Sequence, residues 1–273
     1  GARAGMADIR DLSCPGPLGP IRLRLYRPHA PAAAEPALVY LHGGGWTIGD
    51  LESHDHVCRA LAAAADLPVV SVDYRLAPEH RFPAGVADAG AAFAWIAENA
   101  ESLGLDARRL AIGGDSAGGN LAAVTCLAAR EAGATAPACQ ILVYPAVDCA
   151  ASDAFPSRIR NAAIPPLTQD ALDFFDRCYF ADPAAARDWR ASPIRAASHA
   201  GLPPALVVTA EYDVLRDEGR AYAETLRRAG GEVETRDYAG QIHGFIELGG
   251  LFPAAQEAIA DIARFLRVRL ASS

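Results

Sequence analysis

The chain has 273 residues, 51% of them hydrophobic, and a formal net charge of −8. That length and apolar content suit one large α/β domain with a sizeable core, and the acidic balance leaves no basic footprint for nucleic acid. Arginine supplies every basic side chain and there is no lysine, which excludes a Walker-A lysine, a Schiff-base lysine and a Ser-Lys dyad.

Residues 21–26 alternate apolar side chains with arginine, as a half-exposed edge strand does. An Ala/Pro-rich loop at 30–36 leads into Ala37-Leu38-Val39-Tyr40-Leu41, a continuous apolar run typical of a strand buried on both faces. His42-Gly43-Gly44-Gly45-Trp46 follows directly. Three glycines there let the backbone approach a ligand closely and turn amide hydrogens inward. Helical spacing over 54–65 precedes a strand at 68–72. In the turn that follows, Arg75 and Glu79 are placed to pair, before a helix over 82–100. Arg109-Leu110-Ala111-Ile112-Gly113 reads as the next strand and residues 117–131 as a helix. Between them stands Gly114-Asp115-Ser116-Ala117-Gly118-Gly119. Strand, tight glycine turn, helix is the setting of a nucleophile elbow, with the serine at a strained apex.

Strands at 141–144, 205–209 and 233–238 and helices at 216–229 and 253–270 continue the alternation. It argues for an α/β fold with a mostly parallel sheet and helices on both faces. Residues 145–203 break it, with a Pro165-Pro166 turn and a helical run over 168–180 but no buried-strand signal. Residues 150–201, approximately, are therefore expected to form an insertion over the C-terminal edge of the sheet, where ligands bind in open α/β sheets. The apolar stripe of the last helix either packs on the sheet, the reading favoured for most of its face, or supports a homodimer. The six cysteines include no C-x-x-C pair and read as reduced thiols, mostly small core residues. No run is long and apolar enough for a signal peptide or a membrane span, so the expected location is the cytoplasm.

A serine hydroxyl needs a base within hydrogen-bond reach. Of seven histidines, His243 stands just after the last strand, on a loop expected beside the elbow. Asp213, after the strand at 205–209, is the expected partner that fixes the tautomer of His243. It also suits a helix N-cap, and Glu211 and Asp217 are its rivals. The order Ser, Asp, His is the one this type of elbow requires. A tetrahedral intermediate needs donors for its oxyanion, and these are assigned to the amides of Gly43, Gly44 and Ala117. Trp46 and Phe245 are substrate-pocket candidates, with core packing as an equal alternative. Asp115 either tunes the pocket or, preferably, orients the elbow. No His, Asp or Glu group has metal-ligand spacing; His54-Asp55-His56 lacks the i,i+4 arrangement.

Taken together, His42-Gly43-Gly44-Gly45, Tyr74-Arg75-Leu76-Ala77-Pro78-Glu79, the GDSAGG turn at 114–119, the segment from Leu202 through Gly219, and His243-Gly244-Phe245 resemble the hormone-sensitive-lipase-like (bacterial family IV) esterases. The similarity runs from about Ile9 to Leu270. It implies an α/β-hydrolase fold with an eight-stranded, mostly parallel sheet, hydrolysis of small-molecule carboxylic esters with short to medium acyl chains, and no cofactor. Members of the family carry several tens of residues before the first edge strand. Only a few precede Asp8 here, so a single α/β-hydrolase domain is expected whose small helical cap rests on the insertion alone, over a more open site. An amidase or formamidase would use the same triad. A ligand receptor on this fold lacks the catalytic histidine, which this chain keeps.

Overall fold

A computed structural model of the protein describes residues 4–31, 34–150 and 154–271. Residues 32–33 of the Ala/Pro-rich loop and 151–153 of the predicted insertion lie outside the described residues.

Eight strands form one sheet: β1 (Asp8–Gly16), β2 (Gly19–Arg27), β3 (Glu35–Leu41), β4 (Val69–Asp73), β5 (Leu105–Asp115), β6 (Gln140–Val143), β7 (Ala205–Tyr212) and β8 (Val233–Ile242), in the order β1-β2-β4-β3-β5-β6-β7-β8. The β1–β2 and β2–β4 pairs are antiparallel, and all later neighbours run parallel. This is the mostly parallel eight-stranded sheet that the resemblance implied. Helices α1 (Asp55–Ala65), α2 (Ala84–Glu98), α3 (Ala117–Ala132), α4 (Pro156–Arg160), α5 (Gln169–Tyr179), α6 (Arg216–Arg228) and α7 (Pro253–Arg269) complete the layers.

Alternation along the central strands divides the core in two. Val39 and Leu41 of β3 face a cluster built with Phe93 and Ile96 of α2, Leu121 of α3 and Tyr222 of α6. Leu38 and Tyr40, one residue out of phase, face the opposite cluster with Leu61 of α1 and Ile262 and Leu266 of α7. Both faces of β3 are covered, which is why its sequence is a continuous apolar run rather than an alternating one. The stripe of α7 is spent in this inner layer, with Ala258, Ile262, Phe265 and Leu266 fully buried.

The strand at 21–26 is not the edge. Its alternation is real, with Ile21, Leu23 and Leu25 buried, but β1 pairs along its outer side through a hairpin closed at Gly16 and Gly19. Polar β1 buries only Cys14, so it carries little of the apolar signal by which a strand is recognised. Arg75 pairs with Asp88 of α2 rather than with Glu79: its Nε lies 2.6 Å from Asp88 Oδ2, which also accepts from the Arg75 amide at 3.0 Å. Asp88 is fully buried and Glu79 exposed.

Between β6 and β7 the described residues contain no strand, only α4, α5 and short 3₁₀ turns. This segment is tied to the sheet by a buried ion pair. Arg158 of α4 donates through Nε to Glu218 of α6 at 2.8 Å, and the other oxygen of Glu218 accepts from the Val147 amide at 2.8 Å. Removing one partner of such a pair strands the other charge in the interior. Arg158→Ala is therefore expected to cost about 3–5 kcal/mol, read as a fall in the urea midpoint at constant m-value; a change under about 0.5 kcal/mol would contradict it.

Candidate active site

Ser116 stands between β5 and α3 with φ 55° and ψ −117°. A positive φ is costly for a residue with a side chain and persists only where the surroundings impose it. Here they do. The Ser116 amide donates to the Val143 carbonyl at 2.8 Å, and α3 starts so close to the end of β3 that a Cβ on Gly118 would be driven into the Leu41 carbonyl and lie 2.6 Å from that of His42. The elbow thus passes over the C-terminal end of β3 with the serine side chain turned upward.

His243 follows the end of β8, which runs four residues past the predicted strand to pair Ile242 with Tyr212. Its Nε2 lies 2.9 Å from Ser116 Oγ and its Nδ1 lies 2.7 Å from Asp213 Oδ2. The other Asp213 oxygen accepts from the Leu215 amide at 2.8 Å, so the carboxylate orients the histidine and ties down the loop before α6, whose N-cap is Leu215 rather than Asp213. The two rivals are engaged elsewhere: Glu211 accepts from the Gly240 amide at 2.7 Å and Asp217 from the Ser157 amide at 2.8 Å. Asn161, buried at the end of α4, donates to the backbone carbonyls of Asp213 at 2.9 Å and Glu211 at 3.2 Å. It fixes the acid loop from the insertion side, a role no sequence motif signals. Burial opposes charge on His243, but Asp213, with help from Asp115 and Glu247, outweighs it and raises the imidazole above its ordinary 6.5. The ring also rests against Tyr144, with centroids 4.6 Å apart.

The glycine loop departs from expectation at one residue. The Gly43 amide donates to Asp115 Oδ1 at 3.1 Å and is thereby taken from the oxyanion site assigned to it. Gly44, Gly45 and Ala117 line the cavity beside Ser116, and their amides have no protein acceptor among the described residues. The backbone at Gly44, φ 113°, passes so near the Ile48 carbonyl that no side chain fits. His42 lies beneath, fully buried and stacked on Tyr74 with centroids 4.3 Å apart; its Nδ1 meets the Gly43 carbonyl at 2.7 Å. Burial pulls its pKa down to about 4, so it serves as neutral scaffold.

The cavity holds about 210 Å³ and takes its wall from Trp46, Leu167, Leu172, Phe175 and Leu215. Trp46 both lines it and stacks on Tyr179 of α5 at 4.4 Å. Phe245 does not reach it: fully buried, it packs against Tyr144 and Tyr238 under the loop that carries His243. Asp115 is fully buried, accepts from the Tyr40 hydroxyl at 2.8 Å and lies 3.5 Å from His54 Nε2. Burial works against its ionisation, but His54 and Tyr40 hold its pKa below the usual carboxylate value. His54 stands at the N-cap of α1. It meets Asp115 and Glu247 with donor atoms within 4.8 Å of one another, a grouping drawn from three distant segments. No helix among the described residues is long and apolar enough to cross a membrane.

Residues 38–247 match the family model described as alpha/beta hydrolase fold. The carboxylic ester hydrolase LipN of Mycobacterium tuberculosis is 44% identical over 272 residues, covering 96% of this chain and 71% of that protein. The ethyl acetate hydrolase of Pseudomonas putida is 42% identical, covering 98% of this chain and 86% of the relative. A hyperthermophilic esterase from the archaeon Pyrobaculum calidifontis superposes with a TM-score of 0.95 at 45% identity, covering 98% of this chain and 88% of its own.

A base must be neutral to accept a proton. Because the pKa of His243 is raised, kcat/KM for ester hydrolysis is expected to fall with decreasing pH through a midpoint above 6.5. Asp213→Asn removes the charge that raises it, so the midpoint should move down while kcat drops about 10⁴-fold. An unmoved midpoint in the pH–rate profile would contradict this assignment.

Proposed function

Because the chain belongs to the α/β-hydrolase family, of the hormone-sensitive-lipase-like type, we propose that it is a serine carboxylesterase acting on small esters through an acyl-enzyme on Ser116. The observation that carries the reading is the continuous chain of hydrogen bonds from Ser116 Oγ through His243 to Asp213, at 2.9 and 2.7 Å. In this mechanism His243 takes the hydroxyl proton as Oγ attacks the ester carbonyl, and the resulting imidazolium is stabilised by Asp213. The carbonyl oxygen becomes an oxyanion held by the amides of Gly44, Gly45 and Ala117, the last at the positive end of α3. His243 returns its proton to the departing alcohol. It then activates water to release the acid and free the serine.

The segment from α4 through α5 acts as the cap. Leu172 and Phe175 of α5 close one side of the cavity, and Phe175 lies against the Gly45 backbone. A volume near 210 Å³ is below the ~300–1,000 Å³ of pockets that take drug-sized ligands, which supports short acyl groups over long ones. The names of the relatives point the same way, since one is called an ethyl acetate hydrolase.

Ser116→Ala should lower kcat/KM on a short-chain aryl ester by about 10⁴-fold or more while leaving the melting temperature near that of the wild type. Across a series of acyl lengths the wild type should peak at about two to six carbons and decline beyond. Near-normal turnover by the alanine variant, or a rate still rising at long chains, would contradict the proposal.

A further inference from the structure

The charges around the cavity are one-sided. Its lining includes Asp115, Glu247 and His243 and no arginine, in a chain that has no lysine at all. Asp115 meets Tyr40, Gly43 and His54 through Oδ1 alone, deep in the fold, and its buried Oδ2 has no hydrogen-bond partner among the described residues. Glu247 is not so enclosed. Its side chain is 37% exposed, its Oε2 lies 3.8 Å from His54 Nε2, beyond hydrogen-bond reach, and no protein donor among the described residues satisfies it. The backbone nonetheless anchors it firmly. The Glu247 amide donates to the Gly244 carbonyl at 3.1 Å, and its carbonyl meets His56 Nε2 at 2.7 Å. Its Oε1 lies 3.6 Å from the point where a Cβ on Gly244 would stand, so the carboxylate is held beside the residue that follows His243.

The groups facing Glu247 are His54, Asp115 and His243. Burial and the neighbouring Asp115 push the Glu247 carboxyl up from its ordinary value, against His54 and His243. With both carboxylates ionised and His243 neutral, as a base must be, two negative charges stand against one imidazole at His54, and the cluster is negative however His54 titrates. A wall of this kind, half open to solvent, favours a cation in the site and repels an anion.

We infer that Glu247 is a specificity-determining residue that makes the site favour esters bearing a positively charged group over uncharged esters of the same shape, and disfavour esters bearing a carboxylate. The inference rests on the esterase reading and deepens it. It also bears on turnover, since the acid product leaves as an anion from beside the same carboxylate.

The test compares choline butyrate with its neutral isostere, in which carbon replaces the quaternary nitrogen. A second arm places the charge on the acyl side, comparing the ethyl ester of a trimethylammonio-butyrate with its carbon isostere. In at least one arm the wild type should prefer the cation in kcat/KM by several-fold to about tenfold, and added salt should shrink that preference. Glu247→Gln should bring the ratio close to one. A wild-type ratio at or below one in both arms, or an equal preference in Glu247→Gln, overturns the inference. Calorimetric binding of the intact esters to Ser116→Ala and to Ser116→Ala/Glu247→Gln makes the same comparison without turnover, and equal affinities for cation and isostere in Ser116→Ala overturn it as well. Turnover of the neutral isosteres by the wild type reports separately on the esterase reading.

Discussion

The close passage of the elbow over the end of β3 is the constraint on which the site depends. There is no room for a Cβ at Gly118 against the Leu41 and His42 carbonyls. That contact lets α3 begin directly above the sheet, forces Ser116 into a positive φ, and brings the Ala117 amide to the same cavity as the glycine loop. A looser crossing would carry Ser116 away from the amides of Gly44, Gly45 and Ala117, with which it shares the cavity. The strain at Ser116 is offset by what surrounds it: the hydrogen bond its amide donates to the Val143 carbonyl and fully buried strands on either side.

Around that crossing the remaining groups arrive on separate elements, each held by a bond of its own. Asp213 is fixed by the Leu215 amide and, through its carbonyl, by Asn161. His243 is backed by Tyr144, which Phe245 in turn supports. The segment between β6 and β7 reaches both the cavity and the Asp213 loop: α5 supplies Leu172 and Phe175 to the cavity wall, while α4 is locked to α6 by Arg158 and Glu218 and to the Asp213 loop by Asn161. That segment is thus bonded both to the loop that carries Asp213 and to the wall of the cavity.

Much of this was legible in the sequence because it is local. The elbow is six consecutive residues whose glycines are required by sterics, and the buried strands announce themselves as unbroken apolar runs such as 37–41. The order of Ser116, Asp213 and His243 is fixed by chain direction through a parallel sheet. What was not legible is long-range or polar. Strand β1 buries too little to show periodicity. Which amides of a glycine triplet point into the cavity depends on Asp115, 72 residues from Gly43. Phe245 follows His243 by two residues, yet the 3₁₀ turn that begins with it directs it into the core. The pairing of Arg75 with Asp88 rather than Glu79 depends on which carboxylate is buried, something no spacing reveals.

The central claim is that one serine is acylated. Its most direct measurement is the intact mass of the native protein after inactivation by an aryl phosphonate, followed by mapping of the modified peptide. The account predicts a single adduct on Ser116, formed in step with the loss of esterase activity and not formed on the Ser116→Ala protein. An adduct on any other residue accompanying inactivation, or full activity with Ser116 labelled, would contradict it.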